Sequence, residues 1–270
     1  VIMRAEALPT DAAGAPGGGA VVAGMAVVDQ TAASAPAPAA PGPVGAGAGV
    51  VAAPASPLIL AIESSCDETA AAVVDGSGRL LADVVASQID FHARFGGVVP
   101  EIASRKHIEA VCGVCDECLD VASAAAGCPV RWTDLDAVAV TYAPGLVGAL
   151  VVGVAFAKGA AWALDVPLIG VNHLEGHLYA NKIGDDAFAP PAVVSLVSGG
   201  NTLLVHMRGW GDYVTLGATI DDAVGEAFDK VAKALGLGYP GGPVVSKFAA
   251  EGDPAAIPFP RAMLHSGDLR

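Results

Sequence analysis

Between residues 58 and 235, short apolar runs alternate with longer helical stretches, and polar or glycine-bearing turns cut the runs off. A chain punctuated in this way buries its apolar side chains best as a sheet with helices laid on it, so the pattern predicts an α/β fold. Strands are expected over 58–62, 69–74, 80–86, 135–140, 167–171, 192–198 and 202–207. Pro100, suited to a first helical turn, opens a helix expected to run to about Ala126. Further helices are expected after Gly145, ending near Asp165, then from Asn172 onward, and over 221–235. The stretch Gly238-Tyr239-Pro240-Gly241-Gly242-Pro243 predicts a loop.

Upstream, residues 1–57 are dominated by Ala, Gly and Pro and cannot bury enough surface to offset their ordering entropy; a disordered leader or linker is expected there. Folded sequence is expected from Leu58, as a first α/β lobe over 58–170 followed by a second segment over 171–270. The formal charge of -14 makes the 270-residue chain a poor general binder of nucleic acid, because phosphate backbones are gripped by Lys and Arg. A nucleic-acid substrate would need a local patch or a partner. Five cysteines, an odd number without a secretion signal, fit a reducing cytoplasm. The longest apolar run, Leu146 to Ala157, is stopped by Lys158 and falls short of the ~20 residues that span a bilayer, so no membrane is expected.

Several clusters carry possible chemistry. In Asn172-His173-Leu174-Glu175-Gly176-His177, two imidazoles four residues apart turn through about 400° on a helix and share one face, the spacing of a metal clip. The bland alternative is a helix whose histidines satisfy local hydrogen bonds. Glu175 lies about 200° from His173 and is misplaced for the base of an H-E-x-x-H protease. Glu63-Ser64-Ser65-Cys66-Asp67-Glu68-Thr69 connects two strands; turn chemistry explains its Ser and Asp, but not acidic side chains at the mouth of a buried strand. Pro144-Gly145-Leu146-Val147-Gly148 suits either an anion at a helix start or close helix packing. Gly199-Gly200-Asn201 marks a hairpin, which leaves backbone N–H groups open to a phosphate or carboxylate. Cys112, Cys115 and Cys118 drift by about 120° around a helix and cannot converge on one ion.

Six motifs in order resemble the bacterial TsaD family: Ile62 to Thr69, Gly97 to Arg105 with His107, Ala143 to Gly148, Asn172 to His177, Ser198 to Thr202, and Gly225 to Lys230. The likeness runs from Leu58 to about Arg261. It implies an actin/sugar-kinase/Hsp70-like fold, two related lobes around a nucleotide cleft, with the second lobe incomplete in this chain. It also implies transfer of a threonylcarbamoyl group from threonylcarbamoyl-adenylate to N6 of the adenosine next to the anticodon, in tRNAs reading codons that begin with A. By the same resemblance His173 and His177 are metal ligands, for iron in preference to zinc, and a third ligand, an aspartate, lies beyond this chain. Leu196, Val197, Ser198, Gly199, Gly200, Asp229 and Gly242 match substrate contacts, and Asp67 with Glu68 matches the acidic pair near the transfer centre. A TsaB-like dimerisation partner and a TsaE-like ATPase are implied as well. Asn201 and Tyr142-Ala143 depart from the family pattern without touching those residues. An ATPase or kinase of the same fold, and a scaffold without catalysis, are the alternatives; a metalloprotease is disfavoured by Glu175. Val1-Ile2-Met3-Arg4 resembles the closing strand of RimI-type acetyltransferases over those four residues alone.

Overall fold

The computed structural model describes residues 54–185, 187–260, 265 and 267. The acetyltransferase-like tetrapeptide and residues 1–53 of the expected leader lie outside them. Two compact units divide between Gly176 and His177, and each has its own sheet.

In the first unit β1 (Ile59–Glu63), β2 (Glu68–Val74) and β3 (Leu80–Ser87) form an antiparallel meander, while β4 (Ala137–Ala143) and β5 (Leu168–Asn172) run parallel to β1. The sheet order is β3-β2-β1-β4-β5. Parallel neighbours need crossovers, and helices supply them. After the short α1 (Ile89–His92), α2 (Pro100–Ala126) leads to β4, and α3 (Val147–Leu164) links β4 to β5. The α2 bounds are those expected from Pro100 and Ala126. Its end is set by Gly127, which adopts φ 66° and turns its N–H back to the Ala124 carbonyl.

Strand alternation decides the core. Leu60, Ile62, Val73, Val138 and Val140 point to one face, where Val111, Val114 and Leu119 of α2 and Ala157 of α3 cover them. Cys115 and Cys118 are buried in that core, and burial is the main cause pushing their thiols up to about 12 and 11. They are small core residues, and Cys112 is exposed. Folded structure begins slightly before Leu58: Gly76 N–H donates to the Ala55 carbonyl, and the Ser56 hydroxyl donates to Asp136.

α3 ends at Leu164, close to the expected end near Asp165, and so runs past the apolar stretch that Lys158 interrupts. By length and composition α3 is long and apolar enough to cross a membrane. Core helices pass the same test, and α3 packs one face on α2 and β4.

α4 (His173–Gly184) follows β5 directly. The second unit carries β6 (Ala192–Val197), β7 (Thr202–Gly209) and β8 (Asp212–Ala218), an antiparallel sheet in that order, with α5 (Val224–Ala234) packed on α6 (Gly241–Ala249). Two expectations are corrected here. No strand was expected over Asp212–Ala218, whose burial does not alternate; pairing with β7 makes it one. The expected loop also ends early, because Gly241-Gly242-Pro243 forms the first turn of α6, where a proline lacks no needed N–H. A Cβ at Gly241 would stand 2.6 Å from the Asp229 Cα, so α6 can start there only on glycine.

Candidate active site

The β1–β2 turn is held at almost every residue. The Ser64 hydroxyl donates to the Ala149 carbonyl at 2.9 Å, and Leu146 N–H donates to the Ser65 carbonyl at 2.7 Å. The Cys66 carbonyl accepts from His107 Nε2 at 3.0 Å, and Gln88 N–H donates to the Asp67 carbonyl at 3.0 Å. Because a carbonyl only accepts, His107 carries its proton on Nε2, and its Nδ1 accepts from the Thr69 hydroxyl at 2.7 Å. His107 is fully buried, and so is His92, which bonds Gln88 at 3.1 Å. The motif from Gly97 to His107 therefore braces the turn from behind. With the backbone pinned, Asp67 and Glu68, adjacent in the chain, are partly exposed.

The glycines after β4 are there for packing. A Cβ at Gly145 would lie 2.5 Å from the Ser65 carbonyl oxygen, and one at Gly153 would collide with the Ser64 hydroxyl. Between an anion loop and close packing, the geometry selects packing.

Glu63, which sequence reasoning passed over, ends β1 on the sheet face away from α2. It accepts from Ser65 N–H and faces His173 Nδ1 at 3.3 Å, while the Ser65 hydroxyl is 3.2 Å from the same nitrogen. Burial works against an ionised Glu63, but hydrogen bonds from His173, Ser65 and Thr141 outweigh it and hold the carboxyl down at about 2. Glu68 goes the other way: burial first, then the Asp67 and Glu63 charges, push it up, partly offset by a bond with Ser87. Burial, followed by Asp67, Glu68 and Glu63, pushes the Cys66 thiol up to about 12, although part of it reaches solvent, which disfavours the thiolate.

α4 starts at His173 because the Asn172 side chain caps it, accepting from Leu174 N–H at 2.9 Å and Glu175 N–H at 3.4 Å. One turn of that helix separates His173 from His177. Among the described residues no group of three His, Cys, Asp or Glu side chains is arranged to hold a metal ion.

In the second unit the Ser198–Asn201 turn joins β6 to β7. Ser198 N–H donates to the Asn201 carbonyl, and the Ser198 hydroxyl accepts from Asn201 N–H at 3.0 Å. That hydroxyl closes the hairpin, and open space lies where Gly199 and Gly200 would carry a Cβ. The α5 start packs onto this turn: Gly225 N–H donates to the Ser198 carbonyl, and Val224 N–H to the Thr202 hydroxyl. Leu196 is buried, whereas Val197 is partly exposed. Asp229 accepts from Gly241 N–H at 2.7 Å, which fixes the α6 start, and Gly242 has open space beside it. The structure thus brings Asp67 and Glu68 into one unit with His173. It gathers Ser198, Gly199 and Gly200 at one turn and Asp229 with Gly242 at the α5–α6 junction.

A family model for TsaD, tRNA N6-adenosine threonylcarbamoyltransferase, matches residues 79–269. Curated relatives of that name include one from Clostridium perfringens strain SM101, 58% identical over 212 residues, and one from Clostridium novyi strain NT, 59% identical over 210; each match covers 78% of this chain. The chain spans about three fifths of these relatives' length, 61% and 60% respectively. Among solved structures, YeaZ from Pseudomonas aeruginosa is similar at 18% identity and a TM-score of 0.38, over 58% of this chain and 66% of that one, too distant to carry an argument.

Proposed function

The chain belongs to the TsaD family and has an α/β fold, and on that premise we propose that its fold is of the actin/sugar-kinase/Hsp70-like class and that the whole protein forms threonylcarbamoyladenosine in tRNA. The observation that carries this reading is the acidic β1–β2 turn, pinned through its backbone and linked to His173 by Ser65. The donor is threonylcarbamoyl-adenylate. Its carbamoyl carbon gains a bond to N6 of the adenosine and loses its bond to the adenylate phosphate oxygen. The electron pair leaves with AMP, and one proton leaves N6.

Asp67 is the residue for that proton, as the base or as the group that orients the amine. At Glu68 beside it, burial and then the Asp67 and Glu63 charges push the carboxyl above its ordinary value. The hairpin at Ser198, Gly199 and Gly200, with backbone from Leu196 and Val197, would hold the donor, and Asp229 and Gly242 would add contacts at the α5–α6 junction.

The residues present fit a divalent metal. Two imidazoles one helical turn apart are suitable nitrogen donors, and with Glu63 and Ser65 at His173 Nδ1, Nε2 is the nitrogen that would ligate. When bound, such a metal, iron in preference to zinc, supplies Lewis acidity to the donor's carboxylate or carbonyl. A further ligand would come from the part of the relatives' length that this chain does not span. Partners proposed on the same ground are tRNA, a TsaB-like subunit and a TsaE-like ATPase, in the cytoplasm and without a membrane.

The test is transfer in a reconstituted mixture of the whole protein, the two partners, tRNA and donor. Asp67→Ala is expected to abolish transfer and leave donor binding nearly intact; unchanged turnover would sink the assignment. Phosphorylation or ATP hydrolysis that does not depend on tRNA would instead point to a kinase or ATPase.

A further inference from the structure

We propose that Glu63 and Ser65 are positioning residues that fix the ring of His173 and present its Nε2 to a metal ion. This rests on the reading that the α4 histidines take a metal, and it adds two residues that the sequence motifs did not assign.

Glu63 Oε2 and Ser65 Oγ converge on the same ring nitrogen, His173 Nδ1, at 3.3 and 3.2 Å. Glu63 already accepts the Ser65 N–H, and it faces the ring as an acceptor too. Toward it, Nδ1 must therefore carry the proton, and in a neutral imidazole the lone pair then resides on Nε2. A nitrogen with a lone pair is what a metal requires, and a carboxylate on the opposite ring nitrogen is the usual means of fixing that tautomer and raising the ring's basicity.

Both residues are themselves held. Glu63 is tied to Ser65 N–H and to Thr141, and Leu146 N–H fixes the Ser65 carbonyl at 2.7 Å. The ring thus takes its orientation from the rigid end of β1 and from the acidic turn. Glu63 and His173 stand 110 residues apart in sequence, and the pairing is created by β5 lying parallel to β4, itself parallel to β1. One consequence is structural coupling: the residues that carry Asp67 also aim His173.

The experiment uses the protein expressed from its whole reading frame, with zinc titrated against a chromophoric chelator and the ring nitrogens of His173 observed by 15N NMR. For Glu63→Gln, which keeps the shape, metal affinity is expected to fall about tenfold, and for Glu63→Ala toward about 100-fold. The metal-free wild type is expected to show the proton on Nδ1, with a mixed tautomer in Glu63→Gln. Equal zinc affinity in wild type and Glu63→Gln overturns the role of Glu63 alone. A wild-type ring protonated at Nε2 overturns it even if neither variant folds. A wild type that takes up no zinc removes the metal clip itself, and this role with it.

Discussion

At the scale of single residues, carboxyl groups divide by what surrounds them. Asp75 accepts from the Ser77 hydroxyl at 2.5 Å and from the backbone N–H groups of Ala55, Ser77 and Arg79, so it is held well below the usual carboxylate range. Its folded state favours the ionised form. The stabilisation is complete above its ordinary value of 3.8 and is lost as pH falls below that toward the depressed value. Urea unfolding of wild type and Asp75→Asn should differ at pH 7 and converge at low pH; a gap that stays constant with pH would contradict this. Glu68 has the opposite sign, since its folded form favours the proton. Ionised Glu68 costs stability above its ordinary value of 4.5, and acidification relieves that cost. Glu68→Gln should therefore raise the melting temperature slightly at pH 7 while lowering transfer, and a fall in both would show that the charge stabilises the turn.

At the scale of elements, the loop and helix starts are specified by space. Gly145→Ala drives a Cβ to 2.5 Å from the Ser65 carbonyl, and comparable overpacking costs about 1–3 kcal/mol. Gly113, on the exposed side of α2, has nothing within 4 Å, so Gly113→Ala should stabilise by about 0.5–1 kcal/mol. Chemical denaturation of the two variants checks both signs. These contrasts explain how much was legible in sequence. β1, β2 and α2 were readable because short apolar runs cut off by polar turns, and Pro100, are local signals. β8 was not, because its strand character comes from pairing with β7. The α6 start was missed since Gly-Gly-Pro also marks loops, and the reason for glycine there is the approach of Asp229 from another helix. Glu63 reads locally as a strand end; its partner His173 is brought to it only by the parallel sheet. His107 belonged to a motif singled out in the sequence, but its duty, bracing Cys66 and Thr69, is visible only in three dimensions.

For the whole molecule, a charge of -14 opposes a polyanionic substrate, so this chain alone should bind tRNA weakly and the assembly should supply the grip. Adding the TsaB-like subunit should strengthen tRNA binding at fixed salt, which filter binding or anisotropy would show; tight binding by the isolated chain would contradict that expectation. The most direct test of the proposed activity is the product itself. Nucleosides from tRNA incubated with donor, partners and the whole protein are analysed by mass spectrometry, for wild type and Asp67→Ala. The account predicts threonylcarbamoyladenosine with wild type and none with Asp67→Ala, donor binding being retained. Product formed equally well by both, or by neither, would contradict it.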